Sequence, residues 1–163
     1  MPHPITIRTA QKDDLSFLDG ALRSLARDLG DPYPTDIETL AQAAFGPTPA
    51  VRAQLALSND GSCVGVALAS PLFSTMKGGV GVFVSDLWVS SDARGAGLGP
   101  RLLAAALRDA AKAWGRPLFL RLMVHDDNAD ARRFYERMGF RTFRGMDLLT
   151  LDGDALTTLE DLP

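Results

Sequence analysis

A glycine-rich hexapeptide, Arg94-Gly95-Ala96-Gly97-Leu98-Gly99, lies between a strand-like run and a helix-like run. Residues 80–90 before it are rich in valine, and residues 100–114 after it carry apolar side chains at helical spacing. A glycine-rich turn that opens a helix leaves several backbone N–H groups without partners at the positive end of the helix dipole. Such a turn binds phosphate or diphosphate groups. The sequence therefore predicts a phosphorylated cofactor at this turn.

Three known glycine-loop patterns compete for this stretch. The dinucleotide fingerprint Gly-x-Gly-x-x-Gly requires a glycine at position 100, which is Pro100. The P-loop pattern ends in Gly-Lys-Ser/Thr, and no lysine lies near the loop. The third pattern, Arg/Gln-x-x-Gly-x-Gly/Ala, is matched by Arg94, Gly97 and Gly99. An ordinary strand-to-helix turn stays the alternative, because short glycine motifs also occur by chance.

A second pattern, Asn-x-x-Ala-x-x-Phe-Tyr-x-x-x-Gly-Phe, occupies residues 128–140. Asn128 predicts a helix N-cap, and Gly139 lies where a glycine commonly ends a helix. Asn128, Ala131 and Tyr135 are spaced by three and four residues, so they share one helix face about 10 Å long. The extended arm of a ligand can lie along such a face.

Together the two patterns resemble the signatures of the GCN5-related N-acetyltransferases, whose glycine loop cradles the pyrophosphate of coenzyme A. The resemblance runs from about residue 5 to residue 149 and implies acetyl-CoA as cosubstrate. The cofactor-binding residues that it implies are Leu87, Trp88, Val89, Arg94, Gly95, Ala96, Gly97, Leu98, Gly99, Arg101, Asn128, Ala131 and Tyr135.

A closer likeness, which runs from residues 45–46 through residues 64–68 to residues 84–89, is to the diamine (spermidine/spermine) N-acetyltransferase branch. That branch has Glu-Asp where this chain has Ser85-Asp86, so the identity of the general base and the specificity for polyamines are left open. The resemblance implies that a primary amine attacks the acetyl group directly, through a tetrahedral intermediate. The simplest acceptor is an amine that belongs to a small molecule. A protein or aminoacyl-tRNA amine is the alternative acceptor, and a non-catalytic acyl-CoA sensor is the alternative function.

Two side chains are candidate catalytic groups. An alkyl ammonium has a pKa near 10.4, so a proton must leave before the amine attacks. Asp86 is the candidate that holds the ammonium or passes its proton through water, with a structural carboxylate as the alternative. By analogy with the family, backbone N–H groups around residues 87–89 stabilise the oxyanion. The phenol of Tyr135 is the candidate hydrogen-bond donor to the leaving thiolate.

The composition favours one globular domain over residues 1–163, with 46% hydrophobic and 23% charged residues. The net charge is −3, yet basic residues outnumber acidic ones over residues 94–149, which favours an anionic cofactor there. An acidic chain without interleaved aromatic and basic residues predicts no nucleic-acid partner. Cys63 lies in an apolar run and is predicted to be a core residue. One cysteine and two distant histidines predict no metal site.

Further expectations concern location and assembly. The N-terminus lacks the basic and apolar regions of a signal peptide, and no apolar run reaches the ~20 residues that span a bilayer. A cytoplasmic location without membrane contact is therefore predicted. The family resemblance also implies that the chain can form a homodimer.

The order of elements predicts an α/β fold in three layers. Strands are predicted over 5–9, 51–58, 63–69, 80–90, 118–124 and, as one or two strands, 141–151, and helices over 13–29, 35–45, 100–114 and 128–139. Thr35 is the predicted N-cap of the second helix. The expected result is a mixed, mostly antiparallel sheet of six or seven strands with helices on both faces. The resemblance implies the acyl-CoA N-acetyltransferase fold, in which strands 80–90 and 118–124 are parallel and splay apart around the cofactor.

Overall fold

The structure, a computed structural model, describes residues 5–163. The chain divides into two compact units, the first ending at Met123 and the second beginning at Val124. The first unit contains β1 (Thr6–Thr9), α1 (Leu15–Leu29), α2 (Ile37–Phe45), β2 (Arg52–Leu57), β3 (Cys63–Ser74), β4 (Gly79–Val89), α3 (Leu98–Trp114) and β5 (Leu120–Leu122). The second unit contains α4 (Ala129–Arg137) and α5 (Gly153–Glu160), of which α5 lies outside every predicted helix.

The sheet of the first unit has the strand order β1-β2-β3-β4-β5. The first four strands are antiparallel neighbours, and β5 runs parallel to β4. The predicted mixed, mostly antiparallel sheet is confirmed, as is the parallel pairing of its last two strands. The predicted count of six or seven strands is wrong, since the sheet among residues 5–163 has five.

The missing strands are those predicted over residues 141–151, where every residue is exposed and none pairs in a ladder. Gly145 has a φ of +83°, which interrupts the extended run. The apolar residues that follow do not alternate, because Leu148 and Leu149 are adjacent. A strand needs alternation and a neighbour to pair with, and β-type composition alone supplies neither.

Helices cover both faces of the sheet in the first unit, as predicted. Val66 of β3 packs in a core cluster with Leu18 and Leu22 of α1 and Leu40 of α2. The preceding residue points to the other face, because side chains alternate along a strand. That residue is Gly65, where a Cβ would lie 2.9 Å from Leu102 of α3, so this close approach requires glycine.

Two helix starts differ from the sequence prediction. The N-cap of α2 is Asp36 rather than Thr35, because the Asp36 carboxylate accepts a hydrogen bond from the Thr39 N–H at 2.7 Å. Helix α3 begins at Leu98 rather than Pro100, since Gly97 adopts a φ of +71° and turns the chain into the helix earlier. A proline in the first turn removes an N–H that has no intrahelical partner in any case.

The second unit has the helix that the second motif predicts. The Asn128 side chain accepts a hydrogen bond from the Ala131 N–H at 3.1 Å and caps α4. Gly139, with a φ of +92°, follows its end. No helix among residues 5–163 combines the length and the apolar character needed to cross a bilayer.

Candidate active site

A β-bulge in β4 sets the direction of Asp86, one of the two candidate catalytic residues. Leu68 of β3 is paired with Asp86, and the next residue, Ala69, is paired with Val84, so Ser85 is the extra residue. Leu68, the cross-strand partner of Asp86, belongs to the core cluster that contains Leu18 and Leu22 of α1. Trp88 packs against the same cluster. The bulge therefore turns Asp86 and Trp88 to the α1 face of the sheet.

Beyond the bulge, β4 has an edge that β5 does not cover. The parallel pairing joins only residues 82–84 to residues 120–122, although β4 continues to Val89. The Ser90 N–H donates to β3, at 2.9 Å from the Val64 carbonyl oxygen. Because N–H direction alternates along a strand, the N–H groups of Leu87 and Val89 point to the opposite edge. That edge offers backbone hydrogen-bonding groups to an extended ligand.

The glycine loop presents a row of backbone donors. Gly95 and Gly97 have φ values of +82° and +71°, a region that favours glycine. None of the N–H groups of residues 95–99 donates to a protein acceptor among residues 5–163, and α3 has no side-chain N-cap. These five donors, at the positive end of a 17-residue helix, fit an anion such as a diphosphate.

The two arginines predicted to assist the loop have protein partners. Arg94 donates from Nε to the Val89 carbonyl at 3.0 Å and from NH2 to the Asp28 carboxylate at 2.7 Å. Arg101 donates to the Ile5 carbonyl at 3.1 Å. The structure thus brings the predicted loop residues together. The backbone N–H groups of residues 95–99 stay available to bind an anion, whereas the two guanidinium groups are bonded to protein oxygens.

A polar cluster that sequence reasoning missed lies beside the loop after α1. The Tyr33 hydroxyl donates to Asp19 at 3.1 Å, and Arg23 donates to the same carboxylate at 2.7 Å. The Arg23 guanidinium also lies 4.7 Å from the centre of the Tyr33 ring. Burial, reinforced by Asp19 and Asp86, raises the pKa of Tyr33 to about 12. The only signal in the sequence is the i, i+4 spacing of Asp19 and Arg23.

Asp86 differs from Asp19 in having no cationic partner. No lysine, arginine or histidine within the described residues 5–163 forms an ion pair with Asp86. Burial raises its pKa, and a hydrogen bond with the Ser85 side chain opposes that rise. A half-buried carboxylate without a counter-ion attracts a cationic ligand.

In the second unit, Tyr135 lies in an aromatic cluster on α4. Its ring makes edge-on contacts with Phe134 and Phe140, with centroid distances of 5.1 Å and 5.4 Å. Burial raises the pKa of the Tyr135 phenol, so the hydroxyl stays protonated at neutral pH. The N-cap bond uses only the carbonyl oxygen of Asn128, which leaves its amide nitrogen as a donor.

Residues 5–163 contain no group of three His, Cys, Asp or Glu side chains placed to bind a metal ion. Cys63, predicted to be a core residue, packs against the core but is only half-buried, and burial raises the pKa of its thiol.

The chain is similar to several solved structures, among them two that are named as N-acetyltransferases. An integron cassette protein from the mobile metagenome of V. cholerae is 23% identical with a TM-score of 0.76, and the match covers 97% of this chain and 98% of that one. A ribosomal-protein-alanine N-acetyltransferase from Brucella melitensis is 21% identical with a TM-score of 0.71, covering 91% and 100%. An aminoglycoside N-acetyltransferase in complex with CoA is 18% identical with a TM-score of 0.73, covering 93% and 97%. These likenesses show the fold.

The sequence is also similar to a curated relative, the L-ornithine N5-acetyltransferase of Arabidopsis thaliana. The two are 32% identical over 105 residues, which are 64% of this chain and 45% of the relative. The chain thus spans about half the length of that protein. The model of the acetyltransferase (GNAT) family matches residues 20–140, a range that includes the glycine loop, the bulge and α4. This match covers most of the chain, which therefore belongs to the acetyltransferase (GNAT) family.

Proposed function

We propose that this chain, as a single domain over residues 1–163, transfers the acetyl group of acetyl-CoA to a primary amine on a small molecule. The observation that carries the proposal is the row of five unsatisfied N–H groups at residues 95–99 next to the uncovered edge of β4. An anion site beside an exposed strand edge suits a ligand with a diphosphate and an extended amide-containing arm.

Bound acetyl-CoA supplies an activated acetyl thioester. In this proposal the amides of residues 95–99 hold its diphosphate. The N–H groups of Leu87 and Val89 bond its pantetheine arm and the oxyanion that forms during attack. Asn128 and Ala131, on the face of α4 that also carries Tyr135, line the remainder of the arm. The family match covers residues 20–140, a range that includes both sets of residues.

Asp86 is proposed to receive the acceptor ammonium. Its carboxylate has no cationic partner within residues 5–163, and Trp88 shares its face of β4. A cation placed there is attracted by the carboxylate and by the indole face. Proton loss from the ammonium to Asp86, directly or through water, produces the neutral amine that attacks.

Tyr135 is proposed to donate its hydroxyl hydrogen bond to the departing thiolate. Burial keeps the pKa of this phenol above its usual value, so the donor is present throughout the neutral range. A positioned proton donor of this kind contributes roughly a factor of 10² to 10⁴ in rate.

The acceptor class follows from the charges on the α1 face. The Asp86 carboxylate forms no ion pair within residues 5–163, whereas the Asp19 carboxylate is paired with Arg23. The site therefore suits a small acceptor whose reacting amine is cationic in water, such as a diamine or a basic amino acid. The name of the Arabidopsis relative, an ornithine acetyltransferase, agrees with that class. Cytoplasmic location and homodimer formation stay predictions.

A thiol-release assay with acetyl-CoA tests the proposal. The panel contains diamines, ornithine, lysine and a peptide with an N-terminal alanine, and the variant Tyr135→Phe is run beside the wild type. We expect turnover on a small amine that collapses in the variant. Turnover on the peptide alone would assign a protein acceptor, and CoA binding without turnover on any amine would assign a sensor.

A further inference from the structure

We propose that Asp28 is a positioning residue that ties the acceptor side of the protein to the cofactor loop, an inference that rests on the function proposed above. Asp28 belongs to the last turn of α1. Within residues 5–163 its side chain accepts hydrogen bonds from Trp88 and Arg94, and from neither the glycine loop amides nor Asp86. It acts through two other residues, Arg94 and Trp88.

One carboxylate oxygen of Asp28 joins these two residues. Oδ2 accepts a hydrogen bond from Arg94 NH2 at 2.7 Å and another from Trp88 Nε1 at 3.0 Å. Arg94 also donates to the Val89 carbonyl at 3.0 Å. The last turn of α1, the end of β4 and the start of the glycine loop therefore meet at a single polar node.

The position of Asp28 is unfavourable for α1 taken alone. The C-terminal end of a helix carries a partial negative charge, which disfavours a carboxylate in the last turn. Gly30, with a φ of +74°, already ends α1 through its N–H bonds to Ala26 and Arg27 carbonyls, so Asp28 has no part in the cap. The positive charge of Arg94 compensates the unfavourable placement, which indicates a role outside helix stability.

The contact is partly exposed, with 56% of the Arg94 side chain and 44% of the Asp28 side chain accessible. Exposed ion pairs contribute little to the free energy of unfolding. This ion pair is expected to matter for position rather than for stability. It fixes Arg94, the first residue of the loop proposed to bind the diphosphate, and Trp88, which lies beside the proposed acceptor site. Loosening Asp28 is therefore expected to weaken both binding steps and to leave the chemical step unchanged.

The test compares Asp28→Ala and Asp28→Asn with Asp92→Asn, a matched control. Asp92 is an exposed carboxylate two residues before Arg94, and its side chain bonds only Ser91 among the described residues. Calorimetry with CoA alone gives Kd, and steady-state assays give KM for the amine and kcat. Thermal unfolding verifies that each variant is folded, and Asp28→Asn, which keeps the shape of the side chain, serves if Asp28→Ala does not fold.

We expect Asp28→Ala to raise Kd for CoA and KM for the amine by about fivefold each, with kcat within about twofold of the wild type. Asp28→Asn keeps an acceptor oxygen but loses the charge, so its effects should be smaller, and Asp92→Asn should change neither constant. In a Trp114→Phe background, where Trp88 is the single tryptophan, Asp28→Ala should also shift the fluorescence maximum.

Arg94→Gln should add little to Asp28→Ala in CoA affinity, because both changes break the same node. Equal constants for Asp28→Ala and Asp92→Asn would overturn the inference. So would tighter CoA binding in Asp28→Ala, or full additivity with Arg94→Gln. A wild type that binds no CoA would instead overturn the proposed function, so the two failures are distinguishable.

Discussion

The Ser85 hydroxyl oxygen lies 3.4 Å from the Leu68 carbonyl oxygen, at the point where β4 gains one residue relative to β3. Without this extra residue, the alternation of side chains would continue unbroken from Val84 and would place Asp86 on the α3 face. The bulge thus puts Asp86 on the α1 face while Leu87 and Val89 keep their N–H groups toward the open edge. One inserted residue therefore separates the side-chain face of β4 that we propose for the acceptor from the backbone edge that we propose for the cofactor.

We expect Asp86→Asn to lower kcat/KM for the amine by roughly 10² to 10³, because the variant loses both the counter-ion and the proton acceptor. The Kd for CoA should stay unchanged, since the loop amides are untouched. Steady-state kinetics and calorimetry give the two values. A weakened CoA affinity with normal kcat would show that Asp86 supports the fold instead.

The acid limb of the pH profile should report Asp86. Burial raises its pKa, so activity should fall as pH drops through a value above that of an ordinary aspartate. Ser85→Ala removes the hydrogen bond that favours the carboxylate and should move the limb to higher pH. Ser91→Ala removes an exposed hydroxyl outside β4 and is the control. A limb that moves to lower pH in Ser85→Ala would contradict this role.

Tyr135→Phe should reduce kcat by roughly 10² to 10⁴ with little change in Kd for CoA, because only the hydroxyl is lost. Since burial raises the phenol pKa above its usual value of about 10, any loss of wild-type rate from deprotonation of Tyr135 should have its midpoint above pH ~10. Tyr33→Phe, the other tyrosine, controls for removal of a phenol. Rates equal to wild type in Tyr135→Phe would remove Tyr135 from the chemistry.

Stability at low pH should depend on Asp14. This buried carboxylate accepts hydrogen bonds from Arg8 at 2.5 and 2.7 Å, and the Arg8 guanidinium lowers its pKa. Because the pKa of Asp14 is lower in the folded state, the ionised carboxylate stabilises the fold at pH values above the unfolded-state pKa of about 3.9. This stabilisation is lost as the pH falls through the folded-state pKa. Asp14→Asn should therefore cost about 1–3 kcal/mol at pH 7 and progressively less below pH ~4. Urea unfolding at several pH values measures the difference in free energy of unfolding between Asp14→Asn and the wild type. Asp13→Asn, at an exposed carboxylate, is the control. A difference that stays constant across the pH range would contradict the prediction.

Local features of the site could be predicted from the sequence. Gly97 marks a left-handed turn before a helix, and Asn128 marks a helix start, because each signal depends on a few neighbouring residues. The bulge at Ser85 depends on the pairing of β3 with β4, and no short motif encodes that register. The contact between Asp28 and Arg94 joins residues 66 positions apart and has no local signal either.

The strands predicted near the end of the chain are an error of another kind, because they were predicted and are absent among the described residues 5–163. Residues 141–151 have the β-type composition that led to the prediction, yet they form no ladder and all of them are exposed. The prediction used composition, whereas a strand is stabilised by cross-strand partners. The parallel pairing of β4 with β5, which the family resemblance implied, is confirmed, and it agrees with the crossover connection that a helix between two apolar runs favours.

Amide chemical shifts of ¹⁵N-labelled protein titrated with CoA test the anion site most directly, since each backbone donor is observed separately. We expect the largest changes at Gly95, Ala96, Gly97, Leu98 and Gly99, with smaller ones at Leu87 and Val89. Gly97→Ala, which strains the left-handed turn, should abolish the changes at the loop. Saturable shifts confined to other segments, or none at all, would contradict the assignment of the diphosphate to these amides.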